Sequence, residues 1–226
     1  MKKCLVLALV LAGCSARPPC EEPVLGTPPP DTTITATHRE PAYAKEVHLV
    51  TFEMGPVVET LEGFMVLRAP DALRVYGMTE TGQEAFDVAW VGTAGVGRVE
   101  RIYRAPFLKD DAVLDSIANA AAKIFLLRPP EGTPYERTER GFTRSVAGVT
   151  YFYGGTELHL SWLQAEKFSA CFMDWSSENG FYAPRRIHFH SEEGPHPYDL
   201  RMKLVRATRL PGPPAESTFS SSISGR

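Results

Sequence analysis

The chain has only four cysteines and no C-x-x-C pair, so it offers neither a disulfide-dense scaffold nor a paired-thiolate zinc or redox motif. No G-x-S-x-G elbow and no phosphate-binding glycine loop occurs. Gly95-Val96-Gly97 lacks the third glycine and the helix of a dinucleotide site, and reads as a turn. Excess positive charge is missing too: 24 Lys and Arg against 27 Asp and Glu give a net charge of −3, which argues against a nucleic-acid partner. The apolar run from Cys4 to Ala12 is nine residues long, well short of the roughly 20 that span a bilayer.

What that short run does is set by its flanks. Lys2 and Lys3 precede it and Leu11-Ala12-Gly13-Cys14 closes it, the three-part layout of an export signal. The closing four residues resemble the lipobox of bacterial lipoproteins. That resemblance implies cleavage before Cys14, a signal peptide of residues 1–13, and lipid on the Cys14 sulfur. Several acyl chains anchor stably, at about 0.8 kcal/mol per buried methylene. Loss of Lys2 and Lys3 takes the net charge from −3 to −5. Ser15 follows the cysteine. In many Gram-negative lipoproteins an aspartate there retains the protein in the inner membrane, so serine suits outer-membrane, periplasm-facing placement.

Residues 14–41 read as a tether. Seven prolines fall between Ser15 and Pro41 with no apolar periodicity, and such chain extends by about 3.1 Å per residue, a reach of roughly 80 Å. Residues 211–226, proline- and serine-rich, read as a disordered tail. The folded domain is therefore expected over 42–210. Cys20 lies in the tether and Cys171 in a strand-like run. Export permits them to pair, but one bridge from a loose tether is a weak framework, and Cys171 is expected to be a buried free thiol.

Inside the domain, short β-branched and aromatic runs at 46–52, 61–69, 72–78, 84–91 and 96–103 are separated by turn residues, so antiparallel strands are expected. One segment changes period. Asp110-Asp111 can cap a helix to about Leu127, with Val113, Leu114, Ile117, Ala121, Ile124 and Phe125 on one stripe, and Pro129-Pro130 stops it. More strands follow at about 149–153, 157–162, 167–175, 184–191 and 198–206. The pattern predicts an α+β fold: a curved antiparallel sheet with helical material on one face.

Candidate chemistry is thin. His188, His190 and His196 are the nearest approach to a metal set, but alternating polar residues on a strand ordinarily form a solvated face, and no metal or other cofactor is assigned. Glu21-Glu22, Asp110-Asp111 and Glu192-Glu193 have tether, cap and turn roles, so no catalytic residue is assigned and the chain is read as a non-enzyme. The strand aromatics Phe64, Phe86, Trp90, Phe152 and Trp162 form plain core unless a cavity lies between sheet and helix. In that case they, with Ile117, Ala121 and Ile124, are the candidate lipid-binding residues.

The lipobox, the tether, the run Phe64-Met65-Val66-Leu67-Arg68-Ala69-Pro70-Asp71-Ala72-Leu73-Arg74-Val75, the pattern Thr79-x-x-Gly82-x-x-x-Phe86-Asp87-Val88 and the late Ala183-Pro184-Arg185-Arg186-Ile187 together resemble the LolA/LolB-like superfamily, in a poorly characterised lipoprotein branch. This implies an unclosed antiparallel β-barrel with an apolar concave face under a helical lid. In characterised relatives that hollow receives the acyl chains of lipoproteins. Outer-membrane receptors of the superfamily also carry a protruding apolar loop, for which Met54-Gly55-Pro56-Val57-Val58 is the candidate here. The resemblance thus implies a chaperone-like carrier whose partners are a membrane, through the N-terminal lipid, and acyl chains of lipoproteins or lipids. A second reading is a structural or envelope-assembly lipoprotein with a packed core that binds an envelope protein. A cavity favours the first, a filled interior the second.

Overall fold

The computed structural model describes residues 20, 43–93, 96–108, 110–130, 132–139, 141–154, 159–178, 181–193 and 196–220. The expected signal segment, Cys14 and the tether apart from Cys20 lie outside them. In chain order the elements are β1 (Tyr43–Met54), β2 (Val57–Arg68), β3 (Ala72–Thr79), β4 (Glu84–Thr93), β5 (Val96–Arg104), α1 (Asp111–Phe125), β6 (Glu136–Thr138), β7 (Gly141–Val146), β8 (Val149–Gly154), β9 (His159–Gln164), β10 (Phe168–Glu178), β11 (Phe181–Ser191) and β12 (Tyr198–Arg209). The strands form one antiparallel sheet in the order β5-β4-β3-β2-β1-β12-β11-β10-β9-β8-β7-β6.

The two edges, β5 and β6, do not pair, so the barrel stays open. Each edge is blunted: β5 carries Arg98, Glu100, Arg101 and Arg104 on a largely exposed strand, and β6 is three residues long. Between them in sequence comes α1. It packs on β3, β4 and β5 and also reaches β11. A 15-residue helix is about 22 Å long. A flat sheet would set β5 and β11 about 29 Å apart. The sheet therefore curls around the helix, and one apolar cluster joins α1 to strands from both halves.

The helix begins where its cap predicts: Asp110 Oδ1 accepts from the Ala112 amide at 2.8 Å, and the helix ends at Phe125, ahead of Pro129-Pro130. It is fastened on both sides. Arg101 on β5 holds Asp115 through two hydrogen bonds of 2.8 and 2.5 Å, Arg104 holds Asp111 at 2.9 Å, and Lys123 at the far end pairs with Glu193 beyond β11.

Three expectations change. Residues 136–146 supply β6 and β7, which were not anticipated. The tail from Pro211 folds back through Ser220. Its single turn Glu216–Phe219 seats Phe219 against Ala72 and Ala89 on the convex face, while Glu216 pairs with Arg68 at 2.6 Å and Arg74 donates to the Thr218 carbonyl at 3.0 Å. One buried aromatic ring and two arginine contacts fasten the segment to the sheet. Third, Cys171 is buried but not free: it is bonded to Cys20, with the two Cα atoms 5.6 Å apart. The neighbours of Cys171 in β10, Ala170 and Phe172, face the interior, so the bridge sits on the convex face.

Candidate functional site

The strand register decides what faces the interior. On β2 and β3 the cross-strand pairs Met65–Val75 and Leu67–Leu73 point inward, whereas Phe64–Tyr76 points outward. On β1 the inward positions include Glu46, His48, Val50, Phe52 and Met54; on β12 they include Leu200, Met202 and Leu204. A bulge at Val47/His48 skips Val205 of β12, so the inward series continues on both strands past it.

The interior divides into two regions. Beneath β7–β11 it is filled: Tyr151, Tyr153, Leu160, Leu163, Phe172 and Phe189 are at most 4% exposed and belong to one cluster. Burial pushes the Tyr151 and Tyr198 phenols up to about 12. Beneath β1–β4 and β12, by contrast, lies a cavity of about 510 Å³ roofed by α1. That volume is within the roughly 300–1,000 Å³ of small-ligand sites.

Mid-strand Gly63 borders it. Gly63 and Gly77 face each other across β2 and β3; a Cβ on Gly77 would meet the Phe86 ring at 2.5 Å, so the ring lies where that side chain would be. A bulge at Gly77/Met78 skips Ala85 of β4, so Ala85 and Phe86, consecutive in sequence, both border the cavity. From α1 come Val113, Ile117, Ala121, Ile124 and Phe125. The mouth lies at the β1–β2 hairpin tip, where the lining residues Val57 and Phe107 are 42% and 53% exposed and Val58 beside them is 61% exposed.

Three polar side chains border this space: Glu59, Thr79 and His48. Glu59 is exposed and Thr79 half-buried, whereas His48 is 2% exposed. Its Nε2 donates to the Glu46 carboxylate at 2.7 Å, its ring lies 5.6 Å from Phe125, and its Nδ1 is buried with no hydrogen-bond partner.

Of the aromatic and helical residues singled out from sequence, Phe86, Ile117, Ala121 and Ile124 border the cavity. Trp90 faces inward but is packed away from it, its ring over Gly97 of β5. Phe64, Phe152 and Trp162 are corrected: all three lie on the convex face, Phe64 against Tyr76 at 5.9 Å and the other two opposite each other across β8 and β9. Their immediate neighbours Met65, Tyr151, Tyr153, Leu163 and Ser161 take the inward or buried positions, and alternation leaves them outside. His48, Gly63 and the β1 series were not anticipated. Glycine inside an otherwise apolar strand is the signal that marks such a space.

His188 and His190 also lie on the convex face, both hydrogen-bonded to Asp199 Oδ1, at 3.0 and 3.2 Å. The His188 bond, with His190 beside it, holds the Asp199 carboxyl below the usual carboxylate range against the effect of burial. Among the described residues no group of three or more His, Cys, Asp or Glu is placed to hold a metal ion. Among the same residues no helix is long and apolar enough to cross a membrane.

No family model and no curated protein matches the chain. Among solved structures, a LolA superfamily protein from Nitrosomonas europaea aligns over 80% of this chain and 92% of its own, at 10% identity and a TM-score of 0.49. A putative outer-membrane lipoprotein-sorting protein domain from Vibrio parahaemolyticus aligns over 80% and 90%, at 9% identity and 0.49. A DUF1329 family protein from Desulfovibrio piger aligns over 81% and 93%, at 9% identity and 0.44. The chain itself has the unclosed antiparallel half-barrel under one helix that its sequence led us to expect.

Proposed function

We propose that this is a non-enzymatic, lipid-anchored protein of the outer membrane, facing the periplasm, that takes acyl chains into the cavity beneath α1. The observation that carries the reading is the cavity itself: about 510 Å³, opening beside exposed apolar side chains, next to an interior half occupied by buried side chains. The cavity wall includes Gly63, where a strand that filled the space would carry a side chain. The export signal and Leu11-Ala12-Gly13-Cys14 support the anchor and the compartment. Placement of lipoproteins or lipids at the outer membrane is the role these features suit best.

Diphenylhexatriene, a fluorescent hydrocarbon, tests the cavity. The parent domain is expected to bind it and release it to a long-chain acyl ester, and Ala121→Phe, which puts a ring into the space, to lose that binding while remaining folded. A parent that binds neither probe nor ester would sink the carrier reading. The anchor is tested by Cys14→Ser, which should remain unprocessed and carry no lipid label; normal processing would remove the lipoprotein claim.

A further inference from the structure

On β12 the inward series Leu200, Met202 and Leu204 alternates with Asp199, Arg201 and Lys203, which face outward. Cross-strand register sets Lys203 between Arg186 of β11 and Leu49 of β1, and Arg201 between His188 and Thr51. With Met173 of β10 these residues line a shallow groove of about 320 Å³ on the convex face. Three cations and His188 border it, and no carboxylate does.

The acids around the groove are few and engaged. Glu53 pairs with Arg201 at 3.2 Å and Asp174 with Arg186, but both arginine side chains remain more than half exposed, and pairs so open to water hold each other weakly. Asp199 accepts from His188 and His190, and Glu62 stands one strand further off, past Leu49. Among the described residues Lys203 and Arg206 take part in no ion pair. This cationic surface belongs to a chain whose net charge is −3. Apolar side chains are exposed within it: Leu49 at 45%, and at 57% Val205, which the β12 bulge leaves unpaired between Leu204 and Arg206. Exposed apolar groups interleaved with lysine and arginine suit the boundary between the phosphate and acyl layers of a bilayer.

The start of the chain is fastened to the same face. Cys171, bridged to Cys20, is the register partner of His188, so the bridge lies two strand spacings, about 10 Å, from the Arg201 position. We propose that the groove seats the phosphate head group of an anionic phospholipid in a bilayer, with the convex face lying on the membrane and the cavity under α1 turned away from it. The arginine forks and the Lys203 ammonium donate to phosphate oxygens, while Leu49 and Val205 meet the first methylenes. The direction from which the bilayer arrives rests on the anchor reading above; the chemistry of the groove does not.

Vesicle co-sedimentation tests the seat on the lipid-free chain beginning at Ser15, with the Cys20–Cys171 bridge intact, so that no covalent anchor takes part. Vesicles of equimolar phosphatidylcholine and phosphatidylglycerol are compared with phosphatidylcholine alone, both bearing the same acyl chains, so the cavity contributes equally to each. The chain is expected to sediment with the anionic vesicles only, and added salt to release it. Lys203→Gln should weaken that binding about fivefold, and Lys203→Gln with Arg206→Gln about 25-fold, the scale of one Lys or Arg contact each with an anionic surface. Arg98→Gln, which removes the same charge from exposed β5, should leave it unchanged. Diphenylhexatriene binding should be the same in all of these proteins, which reads fold and cavity separately. Equal binding to the two vesicles, or a loss in Arg98→Gln as large as in Lys203→Gln, would overturn the seat and leave acyl binding and the anchor to their own tests. Release from the vesicles by glycerol 3-phosphate at the concentration of the anionic lipid would make a soluble phosphate the ligand and overturn the bilayer.

Discussion

Leu114 and Ile117 lie one turn apart on α1 and share its apolar stripe, yet their surroundings differ: Leu114 is fully buried in the core, and Ile117 is half-buried at the cavity wall. Leu114→Ala should therefore cost about 2–5 kcal/mol, as removal of a packed side chain does. Ile117→Ala removes atoms that already border empty space on one side, so its cost should fall below that of Leu114→Ala and its main effect should be on acyl binding. Denaturant midpoints for the two variants check this; equal losses would mean the cavity wall is packed. At this scale the sequence was informative only where periodicity was regular. The helix stripe located Ile117, Ala121 and Ile124, and the alternation of β4 located Phe86. Around Phe64, Phe152 and Trp162 both faces of the strand carry large apolar residues, and nothing local says which face is the inner one. His48 was hidden for another reason: its surroundings include Phe125 of α1, 77 residues away in the chain.

At the scale of elements, the strands with strong apolar alternation were legible nearly to their ends, whereas β6 and β7 were not. Glu136-Arg137-Thr138 and Gly141-Phe142-Thr143-Arg144-Ser145-Val146 form the outer edge of the sheet, where a polar sequence is compatible with strand. The C-terminal segment illustrates the converse case. Its composition is that of disordered chain, and a single aromatic, Phe219 at 2% exposure with Arg68 stacked 4.8 Å above its ring, is what docks it. Phe219→Ala should free residues 211–220 as a unit. Hydrogen exchange of amides in that segment should rise toward that of open chain, with the exchange of β1 and β2 little changed. Unchanged protection of the segment would show that its two arginine contacts suffice to hold it.

At the scale of the whole molecule, the Cys20–Cys171 bridge spans 151 positions and ties the start of the chain to the middle of the sheet. In the unfolded chain it closes that whole length; in the folded protein it still closes the 23 steps from Cys20 to Tyr43. The difference in loop-closure entropy is about 2 kcal/mol, less than half of what the full loop alone would suggest. Reductant, or Cys20→Ser with Cys171→Ser, should lower stability by about that amount, readable as a shift in the urea midpoint at unchanged slope. The bridge would also reset the geometry of the proposed anchoring. With the proposed lipid on Cys14, only six residues would separate the membrane from a fixed point on the convex face, and six residues fully extended reach about 20 Å. A free tether of residues 14–41 would reach about 80 Å. A leash four times shorter would confine the domain to roughly one-sixtieth of the volume, so collisions with the bilayer would be correspondingly more frequent and made with β10 leading. A thiol reductant would slacken that leash without touching the cavity, making the working radius of the protein a function of the redox state of its compartment.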